Sequence, residues 1–171
     1  FGHHLIAVLK NEGVETRGMR VDTEARTTMA FIAKPDENTA EFVFYRNPGA
    51  DMMLRASELD RGLIRGTKAF HFGSISLIHE PSRGATLEAL EIARGAGALV
   101  SFDVNYRPAL WSGPEEARER IGSTIPLADL VTPNLHEARI LTQNPIRELN
   151  EMRTAARTLV EMGAGAALVK G

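Results

Sequence analysis

The sequence contains no cysteine. That absence excludes disulfides, thiolate zinc sites and a cysteine nucleophile together, and it fits a cytoplasmic protein. An excess of one charge sign is also missing. Twenty Lys+Arg stand against 22 Asp+Glu, a formal net charge of −2, which leaves no surplus of positive charge to hold a nucleic-acid backbone or an anionic membrane. No apolar run approaches the roughly 20 residues that a spanning helix needs. Gly95-Ala96-Gly97-Ala98 and Gly163-Ala164-Gly165-Ala166 each precede a strand, the reverse of a phosphate loop, and no Walker lysine follows either. A Gly-x-Ser-x-Gly elbow is absent, so a serine hydrolase has no support. His3-His4 lacks a partner at metal-ligand spacing, and His71, inside an apolar run, reads as a core histidine rather than a ligand.

What is present is an ordinary globular balance: 171 residues, 43% hydrophobic and 25% charged, consistent with one medium domain. Residues 1–12 carry Leu5, Ile6 and Leu9 at helical spacing, with Gly13 as a stop. Residues 27–33 and 40–45 are β-rich and flank the turn-rich 34–39, which predicts a hairpin, with Phe42 and Phe44 on a packed face and Glu41, Val43 and Tyr45 on a more exposed one. From residue 69 strands alternate with helices. Strands are expected at 69–74, 98–104, 128–132 and 166–170, and helices at 80–96, 114–127, 134–141 and 149–162. That rhythm implies parallel βαβ units. The expected architecture is therefore α/β: a parallel-sheet core (1–20 and 52–171) with helices on both faces, and a small antiparallel β excursion (21–51).

In an open parallel sheet ligands bind beyond the carboxyl ends of the strands. Those positions here are polar: Gly73-Ser74, Asp103-Val104-Asn105-Tyr106-Arg107, Thr132-Pro133-Asn134 and Lys170-Gly171. Asp103 and Asn105 can hydrogen-bond hydroxyls while Arg107 pairs with a carboxylate or phosphate. The alternative is that Asp103 and Asn105 organise a turn before Pro108 and Arg107 forms a surface ion pair. Arg46 lies where the hairpin returns to the core, suited to close over a ligand or simply to end a strand before an Asn-Pro-Gly turn. Asn134 and Glu137 fit a helix N-terminus, where the pair either caps the helix or holds Mg²⁺ through water in a phosphate site.

Three motifs taken together, Phe44-Tyr45-Arg46-Asn47-Pro48-Gly49-Ala50-Asp51-Met52, Phe70-His71-Phe72-Gly73-Ser74-Ile75-Ser76-Leu77 and Phe102-Asp103-Val104-Asn105-Tyr106-Arg107-Pro108-Ala109-Leu110-Trp111, resemble the fructokinases of the ribokinase-like (phosphofructokinase-B type) sugar kinase family. The resemblance runs from Phe1 to about Asp129. It implies an α/β core with a β lid, homodimers formed through that lid, and Mg²⁺- and ATP-dependent phosphorylation of a sugar hydroxyl. It further implies that Arg46, Asp103, Asn105 and Arg107 contact the sugar and that Asn134 and Glu137 lie near Mg²⁺ and phosphate. The tail, from Val131-Thr132-Pro133-Asn134 to Leu168-Val169-Lys170-Gly171, is more similar to hydroxymethylpyrimidine phosphate kinases of the same superfamily. That likeness places Lys170 and Gly171 by the nucleotide phosphates.

The family also has a Gly-Ala-Gly-Asp element after the last strand, whose amides form an anion hole and whose Asp is the catalytic base. No such element occurs in these 171 residues. The chain opens on Phe1-Gly2-His3-His4 in a helix and closes in a strand, so the expectation is a sugar kinase piece that is inactive alone. Two alternatives stand beside it: a hydroxymethylpyrimidine phosphate kinase, and a non-catalytic dimerisation module built on the hairpin.

Overall fold

Short apolar runs at residues 69–73 and 99–103 become neighbouring parallel strands, because each carries large side chains at alternate positions that one layer of helices can cover. The computed structural model describes residues 1–37 and 41–171. Its main sheet has four parallel strands, β3 (Ala69–Gly73), β4 (Leu99–Asp103), β5 (Leu130–Val131) and β6 (Ala166–Ala167), side by side in that order. The smaller sheet pairs β1 (Met29–Ala33) antiparallel with β2 (Glu41–Tyr45). Six helices complete the fold among the described residues: α1 (Gly2–Asn11), α2 (Arg61–Arg65), α3 (Ser82–Gly95), α4 (Pro114–Gly122), α5 (Leu135–Thr142) and α6 (Leu149–Glu161).

The core lies on one face of the main sheet. Phe72, Val100, Phe102 and Val131 are buried there with Leu90 of α3, Ile121 of α4 and Leu159 of α6. The Phe72 and Phe102 rings stack with centroids 4.4 Å apart. Fully burying side chains of this size contributes about 1.5–3 kcal/mol each. The opposite face is covered unevenly. Ala69, His71, Leu99 and Leu168 are exposed, Leu99 at 51% and Leu168 at 57%, whereas parallel sheets normally bury both faces. His71 is thus not the core histidine expected; it lies on the open face with Nδ1 3.1 Å from Ser101 Oγ.

Several boundaries shift for local reasons. α4 stops at Gly122 instead of reaching 127, because Pro126 has no N–H to donate and its ring disfavours helical backbone before it; residues 125–127 form a 3-10 turn. Glycines with positive φ, Gly97 (78°) and Gly163 (109°), follow α3 and α6 and turn the chain into the next strand. β6 is shorter than expected, yet Leu168 N–H donates to Val131 at 2.9 Å and Lys170 N–H to Pro133 at 2.9 Å, so the chain still follows β5 outward. α2 was not expected; Asp60 caps it by accepting from Leu63 N–H at 2.8 Å.

In the hairpin, Ala30, Ile32, Phe42 and Phe44 share one face, and Met29, Phe31, Val43 and Tyr45 the other. The expected contrast between faces is small: Phe44 is half-buried, but Ile32 is 57% exposed. Asn38, Thr39 and Ala40, in the expected turn and strand start, lie outside the described residues.

Candidate active site

The outward ends of β3 to β6 meet at one edge of the sheet. Ser74, just beyond β3, is buried; its N–H donates to Val104 at 3.3 Å and its hydroxyl to the Asn105 carbonyl at 3.4 Å. These bonds hold Asn105 in left-handed backbone, φ 44°, which asparagine tolerates better than most residues. From the end of β4, Asp103 reaches across to Lys170 beyond β6, whose Nζ donates to both carboxylate oxygens at 2.9 and 3.0 Å. Both groups are partly exposed, Lys170 at 43% and Asp103 at 31%, so the pair adds at most about 1 kcal/mol of stability. Its importance is positional, since it joins an expected sugar contact to an expected phosphate contact.

Glu137 and Asn134 form a reciprocal cap on α5. Asn134 Oδ1 accepts from Glu137 N–H at 2.9 Å, and Glu137 Oε2 accepts from Asn134 N–H at 2.9 Å. The other oxygen, Oε1, accepts from Tyr106 N–H at 2.8 Å. Glu137 is 2% exposed. A buried carboxylate that accepts backbone donors on both oxygens fixes the Asp103–Arg107 loop to α5, a role that residue spacing alone does not reveal. Tyr106 is buried against Trp111 and His136. Burial, helped by the Glu115 carboxylate, pushes its phenol above the usual value of 10.

Arg107 bridges sheet and hairpin. Its guanidinium carbon sits 5.3 Å from the centre of the Phe42 ring, and its Nη1 donates to the Tyr106 carbonyl at 3.2 Å. Arg46, one residue beyond β2, has a side chain 4% exposed; it pairs with Asp51 at 2.7 Å, and its Nη2 reaches the Ile75 carbonyl at 3.4 Å in the turn after β3. The hairpin is therefore tied to the strand ends by two arginines. Asp51, Ser74 and Tyr106 complete the cluster, none of them with a site role expected from sequence. Ser74 and Tyr106 carry the signal of their places just beyond strand ends, and Asp51 that of an acid five residues beyond Arg46.

Mg²⁺ prefers an octahedron of oxygens and usually keeps several waters beside one or two carboxylates and substrate phosphates. Among the described residues no group of three or more His, Asp or Glu is arranged to cage a metal. Glu137, expected beside Mg²⁺, is 2% exposed with both oxygens accepting from backbone donors, so it offers no open oxygen to a metal-bound water, and Asp103 is the expected site carboxylate with surface exposure. Lys170 supplies a cation and Gly171 an adjoining backbone without a side chain, the kinds of group that receive phosphate oxygens. No helix among the described residues is long and apolar enough to cross a membrane.

A parallel sheet whose polar strand ends face an antiparallel hairpin is an arrangement that can hold a small ligand between the two. Residues 1–170 match the family described as pfkB family carbohydrate kinase, and the chain belongs to that family. It is 49% identical over 144 residues to a probable fructokinase-3 of Arabidopsis thaliana, covering 84% of this chain and 42% of that protein. It is 47% identical over 142 residues to fructokinase-2 of Solanum lycopersicum, covering 83% and 43%. A crystal structure of fructokinase with bound ATP from Xylella fastidiosa superposes with a TM-score of 0.84 at 30% identity, covering 100% of this chain and 52% of that one. The chain thus spans less than half the length of the curated relatives it matches. The family match extends through the tail to residue 170.

Proposed function

We propose that these 171 residues supply the hairpin lid and the sugar-side strand ends of an ATP-dependent fructokinase. The observation that carries this reading is the meeting of Asp103, Arg107 and Lys170 at one sheet edge, with the Arg46-bearing hairpin fastened beside them. Asp103 and Asn105 bond the sugar hydroxyls, and Arg46 and Arg107 orient the sugar. Lys170, Gly171 and the Asn134–Glu137 cap lie toward the nucleotide phosphates. Mg²⁺ carried with ATP would supply neutralisation of phosphate charge, and Glu137 would serve it indirectly, by fixing the Asn134 cap and the Asp103–Arg107 loop. Positioned charge of this kind is most of what phosphoryl transfer needs, apart from a base within reach of the attacking hydroxyl.

No Gly-Ala-Gly-Asp element is present in these residues, so they bind without turning over. Trp111, the single tryptophan, lies just beyond Arg107 and reports on the loop. Fructose, and separately Mg-ATP, is expected to shift its emission saturably, with no ADP release above a blank. A flat titration with both ligands would sink the kinase reading; fructose-dependent ADP release would sink the missing-base reading.

The partner of the hairpin is a second copy of the chain, met through the exposed Phe31, Val43 and Tyr45. Cytoplasm is the compartment that the absence of cysteine favours. The tail likeness to hydroxymethylpyrimidine phosphate kinases has its own test, competition of hydroxymethylpyrimidine against fructose in the same titration. The family match through residue 170, to carbohydrate kinases, favours a sugar.

A further inference from the structure

At the base of the hairpin a single carboxylate holds both arms. Asp51 Oδ1 accepts the Thr28 hydroxyl, and Oδ2 accepts Arg46 Nε at 2.7 Å with Arg46 Nη2 also 2.7 Å away. Thr28 immediately precedes β1, and Arg46 immediately follows β2. Just outside this tie the backbone repeats it: Ala50 N–H donates to the Arg26 carbonyl at 2.8 Å, and Arg26 bridges Gly49. Through Arg46 Nη2 and the Ile75 carbonyl the same knot reaches the turn after β3.

An independent feature shows how closely the knot is closed. A Cβ on Gly49 would overlap Thr28 Oγ1 and stand 2.6 Å from Asp51 Oδ1 and 3.0 Å from Arg46 Cγ. Glycine is there because three side chains converge on the space a side chain would take. Burial adds a second constraint: the Arg46 side chain is 4% exposed and its Asp51 partner 42%. A desolvated guanidinium needs its carboxylate, since removing one partner leaves a buried charge unpaired. With Nε and Nη2 engaged, the two hydrogens on Arg46 Nη1 have no partner among the described residues.

We propose that Asp51 is the hinge pin of the hairpin, a positioning residue that sets the hairpin's angle to the main sheet and aims Arg46 without itself touching the sugar. Its consequence for sugar binding rests on Arg46 being a sugar contact, as proposed above; the pinning does not. Hydrogen exchange on the 171-residue chain separates the two, because local opening is read segment by segment. Asp51→Asn keeps the size but loses the charge, and exchange in residues 29–33 and 41–45 is expected to rise about tenfold or more, as for a lost charged hydrogen bond. Exchange in residues 99–103 is expected to stay at the wild-type rate. Thr28→Val, which leaves the Arg46 pair intact, is expected to give a smaller rise in the same two segments and keeps the test decisive should Asp51→Asn fail to fold. Hairpin exchange within twofold of wild type in both variants, or a rise shared equally by residues 99–103, would overturn the proposal. If Arg46→Met leaves the fructose titration unchanged while Asp51→Asn still loosens the hairpin, the pin stands and the sugar role of Arg46 falls.

Discussion

Glu137 shows how one side chain can serve a site without being displayed in it. Its two oxygens join α5 to the loop after β4, and at 2% exposure no water replaces a lost bond. Glu137→Gln puts an amide NH₂ against one of two backbone N–H groups, so one buried donor loses its acceptor. The expected cost is about 1–3 kcal/mol, read as a lower urea midpoint at unchanged slope. Tyr106, on the other side of that bond, has its phenol raised by burial first and by Glu115 second. The folded state therefore holds the proton more tightly than the unfolded state. The resulting stability is fully present below pH 10 and is lost as pH rises above 10 through the higher folded value. Melting midpoints of the wild type are accordingly expected to fall more steeply above pH 10 than those of Tyr106→Phe.

Among the elements, the strands were the most legible part of the fold. β3 and β4 advertise themselves as apolar runs bounded by turn residues, and α3 and α6 carry long helical periodicity. α2, with five residues, is too short to show a period and owes its place to the Asp60 cap and to contact with α3. α4 was overestimated because the apolar spacing continues into residues 125–127 while the backbone cannot follow Pro126. The candidate site was legible as residue types but not as partnerships. Asp103 with Lys170, and Tyr106 with Glu137, are separated by 67 and 31 residues, and nothing local indicates which strand end faces which. The contact between β2 and the loop after β4 belongs to the same class. A double-mutant cycle of Phe42→Ala with Arg107→Met is expected to show about 0.5–1 kcal/mol of coupling in chemical denaturation; additivity would mean that the ring and the guanidinium do not interact in solution.

At the scale of the whole molecule the hairpin is two-faced and poorly covered. Phe31, Val43 and Tyr45 are 56–63% exposed, with Phe31 and Tyr45 in an edge-to-face contact at 5.4 Å. Light scattering is expected to give a dimer for the wild type and a monomer for Val43→Glu, which places a charge in the middle of that apolar patch; equal masses would remove the hairpin as the contact surface. The main sheet raises a different matter. Helices α3, α4 and α6 lie against Phe72, Val100, Phe102 and Val131, while Leu99 and Leu168 face outward, with the hydrogen-bonded His71 and Ser101 on the same open face. Such a face is a patchwork of wettability, greasy at Leu99 and Leu168 and hydrated around the His71–Ser101 pair. The folded chain should consequently brighten an anilinonaphthalene dye without any loss of tertiary structure. Leu99→Glu should dim that glow and leave the melting midpoint nearly unmoved, since half of the side chain already lies in water.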